Sequence, residues 1–258
     1  MGPDVAWRVV AASRRGTGHE KTGQPCQDVH RYRLLPGGRL VAVVADGAGS
    51  AALGEVGADV AARAALEAAC ARIDAPCLPE DDAGWRDLLL ATLQAACTAL
   101  EDEAAARAVA ARDLATTLIL VIATPQSVAV AQVGDGAAIV AEQTGSPAAL
   151  TLPATGEYVN ETTFLTSPDA LASAQVRVWR GTPAGLAVLS DGLQRLALRL
   201  PPGEPHGPFF APLFAFAAAP AEQTAAEQAL LAFLGSPRVV ARTDDDVTLL
   251  LAARVGPA

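Results

Sequence analysis

Short apolar runs recur along the 258-residue chain, each broken by glycine, proline, aspartate or serine. WRVVAAS, RLVAVVAD, ATTLILVIAT, SVAVAQVGD, AAIVAEQ, AALTLPA, AQVRVWR, GLAVLSD and DVTLLLAARV are rich in Val, Leu and Ala and read as strands. Several neighbours lie only two to five residues apart, as at ATPQS and VGDGA. Such links join antiparallel strands, because parallel pairing needs a long crossover. Two alanine-rich segments carry a helical period instead. Ser50 to Ile73 repeats through Val56, Val60, Ala64, Leu66 and Ala69, and Trp85 to Val109 through Leu88, Leu89, Leu93, Ala96 and Leu100. The APCLPEDDAG stretch between them reads as a turn. A third helix is expected after Asp191 and a fourth over Ala221 to Leu234. This order predicts an α+β fold: a β-sandwich of two mainly antiparallel sheets flanked by helices on both outer faces, forming a single domain over residues 1–258.

Composition narrows the function. Hydrophobic residues make up 51% and charged residues 18%, so a substantial core is expected and disorder is not. The net charge of -9 argues against nucleic acid or an anionic membrane as the main partner, since both need a basic surface. The opening MGPDVAWRVVAASRRG carries no secretory apolar segment. PFFAPLFAFAAAPA is too short to span a bilayer and reads as a core helix or buried loop. Cys26, Cys70, Cys77 and Cys97 form no metal-binding spacing with the histidines. A reducing cytoplasm fits them. RLPPGEPHGP is the expected surface loop.

The chemistry is carried by five aspartates next to apolar runs: Asp28 in QPCQDVH, Asp46 in LVAVVADGAGS, Asp135 in VAVAQVGDGAA, Asp191 in LAVLSDGLQRL, and Asp245 in RTDDDVTLLL, between Asp244 and Asp246. Carboxylates at the ends of buried strands are unfavourable unless something compensates them. Mg²⁺ or Mn²⁺ would do so, because hard cations take oxygen ligands, and two such ions side by side can activate a water for phosphoester cleavage. A lone Asp-Gly is a common hairpin turn, so no single motif decides the matter.

The ordered set resembles the metal-dependent type 2C Ser/Thr protein phosphatases. GHEKTGQPCQD stands for the first acidic motif, VVADGAGS for the strand followed by Asp-Gly, and ATTLILV for the Ser/Thr-rich strand start; VGDGAAIV, LSDGLQRLA and DDVTLLL complete it. The likeness runs from about Trp7 to Val255, and its opening is similar to a bacterial branch of the family. It implies that Asp46 bridges two metal ions, that Asp28 and the Gly47 carbonyl serve the second, and that Asp191 and Asp245 serve the first. It places Asp135 at a third, looser ion. The implied activity is Mn²⁺- or Mg²⁺-dependent hydrolysis of phosphoserine and phosphothreonine in a phosphorylated protein, with a Ser/Thr kinase or its targets as partner.

Two positions depart from the family pattern. Ala48 stands where many members have a histidine that protonates the leaving oxygen, and Gly23 where many have an arginine that clamps phosphate. His19 is a candidate for the acid, and Arg14 and Arg15 for phosphate. Thr116 and Thr117 read as ordinary strand residues near the site, and His30 and His206 have no motif support. Two other readings stay open at this point: a pseudophosphatase-like binding module, and a small-molecule phosphatase on the same fold.

Overall fold

The computed structural model describes residues 6–74, 78–144, 146–153, 162–199 and 203–256. The strands are β1 (Ala6–Arg14), β2 (Asp28–Leu35), β3 (Arg39–Asp46), β4 (Leu118–Ala123), β5 (Ser127–Val133), β6 (Ala137–Ala141), β7 (Ala148–Thr151), β8 (Gln175–Arg180), β9 (Gly185–Leu189), β10 (Leu198–Arg199), β11 (Glu204–Pro205) and β12 (Val247–Val255). The helices used below are α1 (Thr17–Thr22), α2 (Gly54–Ile73), α3 (Asp82–Arg107), α4 (Ala170–Ser173), α5 (Gln194–Ala197), α6 (Gly207–Ala218), α7 (Gln223–Leu234) and α8 (Pro237–Val240).

Two five-stranded sheets form, in the orders β1-β12-β9-β6-β7 and β2-β3-β4-β5-β8. Every paired neighbour in them is antiparallel. The period of two along β3 shows why the strands read as unbroken apolar runs. Leu40, Ala42 and Val44 pack against the other sheet, beside Val9, Ala11 and Leu250. Val41, Val43 and Ala45 face outward against α2 and α3, beside Ala61, Ala65 and Leu93. On the far side α6 and α7 cover the first sheet through Phe210, Leu213 and Leu230. The result is a sandwich with helices on both outer faces, as the sequence predicts.

Several local expectations change. β2 is an additional edge strand, with His30, Arg31 and Arg33 among its residues. The segment after Asp191 is a 3₁₀ turn (Asp191–Leu193) leading into the four-residue α5, not a long helix. The apolar PFFAPLFAFAAAPA run is the core helix α6, with Pro212 inside it. The RLPPGEPHGP stretch carries the small β10–β11 ribbon, and residues 200–202 lie outside the described residues. Residues 75–77 of the APCLPEDDAG turn, Cys77 among them, also lie outside.

The VGDGA link is the main correction. β5 and β6 do not pair; Gly134-Asp135-Gly136 carries the chain from one sheet to the other. Gly134 has φ 109, and a Cβ there would lie 2.5 Å from the Thr117 side chain. A Cβ on Gly136 would lie 2.5 Å from the Leu189 carbonyl oxygen. The crossing is therefore made where only glycine fits. Gly134→Ala is expected to destabilise the protein by about 1–3 kcal/mol through backbone strain alone, with more from the Thr117 contact. Urea unfolding measures this, and an unchanged midpoint would refute the steric account.

Candidate metal centre

The five strand-end aspartates gather at one end of the sandwich. Asp28 opens β2 and Asp46 closes β3, and the two are direct partners in the register. Asp135 sits in the crossing between sheets, Asp191 follows β9, and Asp245 precedes β12. The charges of Asp28, Asp191 and Asp245 all act on Asp46, and those of Asp135 and Asp245 act on Asp191.

Backbone and hydroxyl contacts position Asp46, Asp28 and Asp135. The Asp46 carbonyl accepts hydrogen bonds from the Thr117 N–H (2.8 Å) and the Thr116 hydroxyl (2.9 Å), and the Asp46 N–H donates to Thr117 Oγ1 (3.2 Å). The two threonines thus brace the site, a role their place in an apolar strand does not disclose. A Cβ on Gly47 would lie 2.3 Å from the Gly54 carbonyl oxygen, so α2 starts tight against the Asp-Gly turn. A Cβ on Gly192 would lie 2.1 Å from the Asp246 carbonyl oxygen. Asp28 is 5% exposed; its Oδ2 accepts from Ser190 Oγ (2.7 Å), which in turn accepts from the Thr248 N–H (2.9 Å). Asp135 Oδ2 accepts from the Thr162 hydroxyl (2.8 Å), and its carbonyl from Gln194 Nε2 (2.6 Å).

Burial pushes Asp28 up from an ordinary 3.8 to about 7; bonds from Ser190 and Thr248 pull it back, and the charges of Asp246 and Asp191 push it further. Burial and the neighbouring Asp135 and Asp245 carry Asp191 to about 6. Asp46 is held well above the usual carboxylate range, first by burial and then by Asp28, Asp191 and Asp245. Asp245 is raised as well, mainly by burial, with the Asp246 N–H opposing. Asp28 Oδ1 and Asp191 Oδ1 are buried without a hydrogen-bond partner.

Desolvated, mutually repelling carboxylates with free oxygens are what a hard divalent cation offsets, so the residues fit Mg²⁺ or Mn²⁺. Among the described residues no three Asp, Glu, His or Cys side chains close around a single ion by themselves. Burial, Asp28 and Asp246 push the Cys26 thiol up to about 12, which leaves it inert as a ligand or nucleophile.

His19 lies on α1 beside this cluster, with Nδ1 3.0 Å from Asp246 Oδ2. Asp246 is 2% exposed and accepts backbone N–H bonds at both oxygens. Its role is missed when the three consecutive aspartates are read as a run, although it directly follows Asp245. Gly23 ends α1 in the left-handed region (φ 73), where an arginine would be strained. Arg14 packs against Gly235 at the end of α7 and lies 4.0 Å from Glu20; Arg15 Nη1 donates to the Gln24 carbonyl. Both line a shallow cleft that also reaches Asp245. His30 is tied to Ser13, which in turn meets Thr248, and His206 to Arg199. A cavity of about 580 Å³ opens at the other end of the strands, by Ala141, Gly185 and Phe214, and holds none of the aspartates.

Comparison with known proteins agrees with this geometry. The family model described as Protein phosphatase 2C matches residues 15–235. The chain is 37% identical over 254 residues to serine/threonine-protein phosphatase 3 of Escherichia coli (strain K12), covering 96% of this chain and 98% of that protein. Among solved structures, the S. agalactiae serine/threonine phosphatase matches with TM-score 0.65 at 16% identity over 96% of this chain and 99% of that one. Serine/threonine phosphatase Stp1 from Staphylococcus aureus matches with TM-score 0.64 at 16% identity, over 98% and 97%. The catalytic domain of serine threonine protein phosphatase PstP, in complex with two manganese ions, matches with TM-score 0.62 at 17% identity, over 97% and 99%. These structures share the fold.

The raised carboxylate pKa values set a stability trend. Folding makes Asp28 and Asp191 hold protons that the unfolded chain has already released. The resulting stabilisation is complete below about pH 4 and is lost as pH rises through about 6 to 7. In EDTA the melting temperature is therefore expected to fall between about pH 5 and pH 8, and saturating Mn²⁺ to restore it at the upper end. Asp46→Asn should flatten both responses. A melting temperature that rises over this range in EDTA would contradict the cluster's electrostatics.

Proposed function

The chain belongs to the protein phosphatase 2C family, and from that premise we propose how its residues divide the work. The protein is a metal-dependent serine/threonine protein phosphatase, and its substrates are phosphoproteins. The observation that carries the residue assignment is Asp46: paired with Asp28 in the register, and pushed up by Asp28, Asp191 and Asp245 together.

Asp46 would face two ions, Asp28 and the Gly47 carbonyl would contribute to one, and Asp191 and Asp245 to the other. Asp135, steadied by the Thr162 hydroxyl, would hold a third, looser ion. Mn²⁺ or Mg²⁺, when bound, supplies water activation and stabilisation of charge on the phosphoryl oxygens. The chain itself does the rest. Thr116 and Thr117 keep Asp46 aimed into the site, and Ser190 holds Asp28 while leaving its other oxygen free. His19 delivers a proton to the departing serine or threonine oxygen, a task that Ala48 cannot perform. A Ser/Thr kinase, or the proteins it phosphorylates, is the partner that matches this chemistry. The free thiols of Cys26, Cys70 and Cys97 support a reducing cytoplasmic setting.

Hydrolysis of phosphoserine peptides should require Mn²⁺ or Mg²⁺ and stop in EDTA; turnover that survives exhaustive chelation would sink the assignment. Asp46→Asn should lower kcat by at least about a hundredfold, because charge stabilisation by bound metal is worth several kcal/mol. It should also weaken Mn²⁺ binding in calorimetry. Asp135→Asn should mainly raise the metal concentration needed. His19→Ala should lower turnover at least about tenfold with the fold intact, since general acid catalysis is worth roughly 10² to 10⁴. Wild-type rates in that variant would remove His19 from the reaction. Sugar phosphates and nucleotides, assayed beside the peptides, should be poor substrates.

A further inference from the structure

His19 is gripped on one side and open on the other. Its side chain is 15% exposed, with Nδ1 3.0 Å from Asp246 Oδ2. Among the described residues Nδ1 makes no other contact to a polar partner, and its approach to Asp246 is close without being an aligned hydrogen bond. Asp246 cannot follow the ring. Its Oδ1 accepts the Gly16 N–H and its Oδ2 the Gln27 N–H, both at 2.6 Å, so the segments on either side of α1 clamp the carboxylate. The other ring nitrogen looks toward the Asp46-Gly47-Ala48-Gly49 loop, where a Cβ added to Gly49 would stand 3.9 Å from Nε2. A second tie sets the same carboxylate against the metal cluster, because the Asp246 N–H donates to Asp245 Oδ1 at 2.8 Å.

Resting on the reading of His19 as the proton donor, we propose that Asp246 is its positioning residue: the clamped carboxylate holds the Nδ1 edge and thereby turns Nε2 to the loop from which the ester oxygen departs. The carboxylate also favours a proton on Nδ1, which fixes the ring's tautomer and orientation. In the reaction, the oxygen of the attacking water forms the new P–O bond. The P–O bond to the serine breaks, leaving its electron pair on the serine oxygen. The Nε2 proton passes to that oxygen, and a proton released by the attacking water returns to the ring. Asp246 gains and loses nothing in this cycle. The arrangement replaces a donor next to Asp-Gly by one reaching in from α1.

The test uses the full metal-loaded chain and aryl phosphates running from p-nitrophenyl phosphate, a good leaving group, to phenyl phosphate, a poor one. A positioning role predicts that Asp246→Asn lowers kcat on phenyl phosphate at least about tenfold and on p-nitrophenyl phosphate far less. KM should stay near the wild-type value. The Asp246→Asn, His19→Ala double variant should be no slower than His19→Ala alone. A purely structural Asp246 would slow both substrates equally, or add its loss in full to that of His19→Ala, and either result overturns the proposal. If His19→Ala itself shows no leaving-group dependence, the donor reading fails and takes the proposal with it. If His19→Ala is steep and Asp246→Asn flat, only the positioning role fails. An amide at position 246 turns its NH₂ toward one of two N–H donors, so thermal melts accompany every variant. Should Asp246→Asn not fold, ¹⁵N shifts of the His19 ring in the metal-free wild type decide. The neutral ring protonated at Nδ1 upholds the proposal, and the Nε2–H tautomer overturns it.

Discussion

Carboxylates that are taken out of water side by side repel one another, and this repulsion governs the design of the site end of the protein. Asp28, Asp46, Asp191 and Asp245 are all raised by burial before any neighbouring charge acts. A fold tolerates that only if its own packing holds the acids in place and a ligand removes the conflict. The apolar layers supply the first condition: Leu40, Ala42 and Val44 lock one sheet to the other, and Phe210 and Leu93 lie in the packing of the two outer faces. Divalent cations supply the second. Stability of the scaffold and demand for metal are thus two sides of one electrostatic constraint.

The precision of the site comes from backbone meeting backbone. Gly47 touches the first turn of α2, Gly192 touches the Asp246 carbonyl, and Gly134 turns against Thr117. At each of these points a side chain would push an aspartate-bearing turn away from the segment it packs against. Threonine hydroxyls then complete what the glycines allow, with Thr116 and Thr117 tying the Asp46 backbone to the neighbouring segment. The backbone and hydroxyl contacts around the acids set where they stand.

Much of this is legible in the chain, for a physical reason. A strand buried on both faces, such as β4, is apolar throughout, so it stands out from any polar surroundings. β2 escapes notice because it is an edge strand with charges along it, and α1 because its six residues bury none of their side chains. The role of VGDGA is not local information. A short link permits a hairpin or a change of sheet, and the choice is made by Thr117 and Leu189, distant in sequence. The same holds for the DDD run. Asp245 and Asp246 differ in surroundings, because the Gly16 and Gln27 amides converge on the second of them. His19 is visible as a residue type near the first motif, while its partner is visible only in three dimensions.

The aspartates also divide between the two layers. Asp28 and Asp46 belong to the sheet covered by α2 and α3, whereas Asp191 and Asp245 flank strands of the sheet covered by α6 and α7. Any cation that engages both pairs is a rivet between layers otherwise joined by apolar packing and a few hydrogen bonds, Ser190 to Asp28 among them. Its hold follows the law of mass action, so the ambient concentration of free divalent ion enters the cohesion of the sandwich itself. The far end, around Ala141 and Gly185, has no such fastening. The molecule is in this sense a clasp with a permanent side and an adjustable one, and the adjustable side is the one that carries the aspartates.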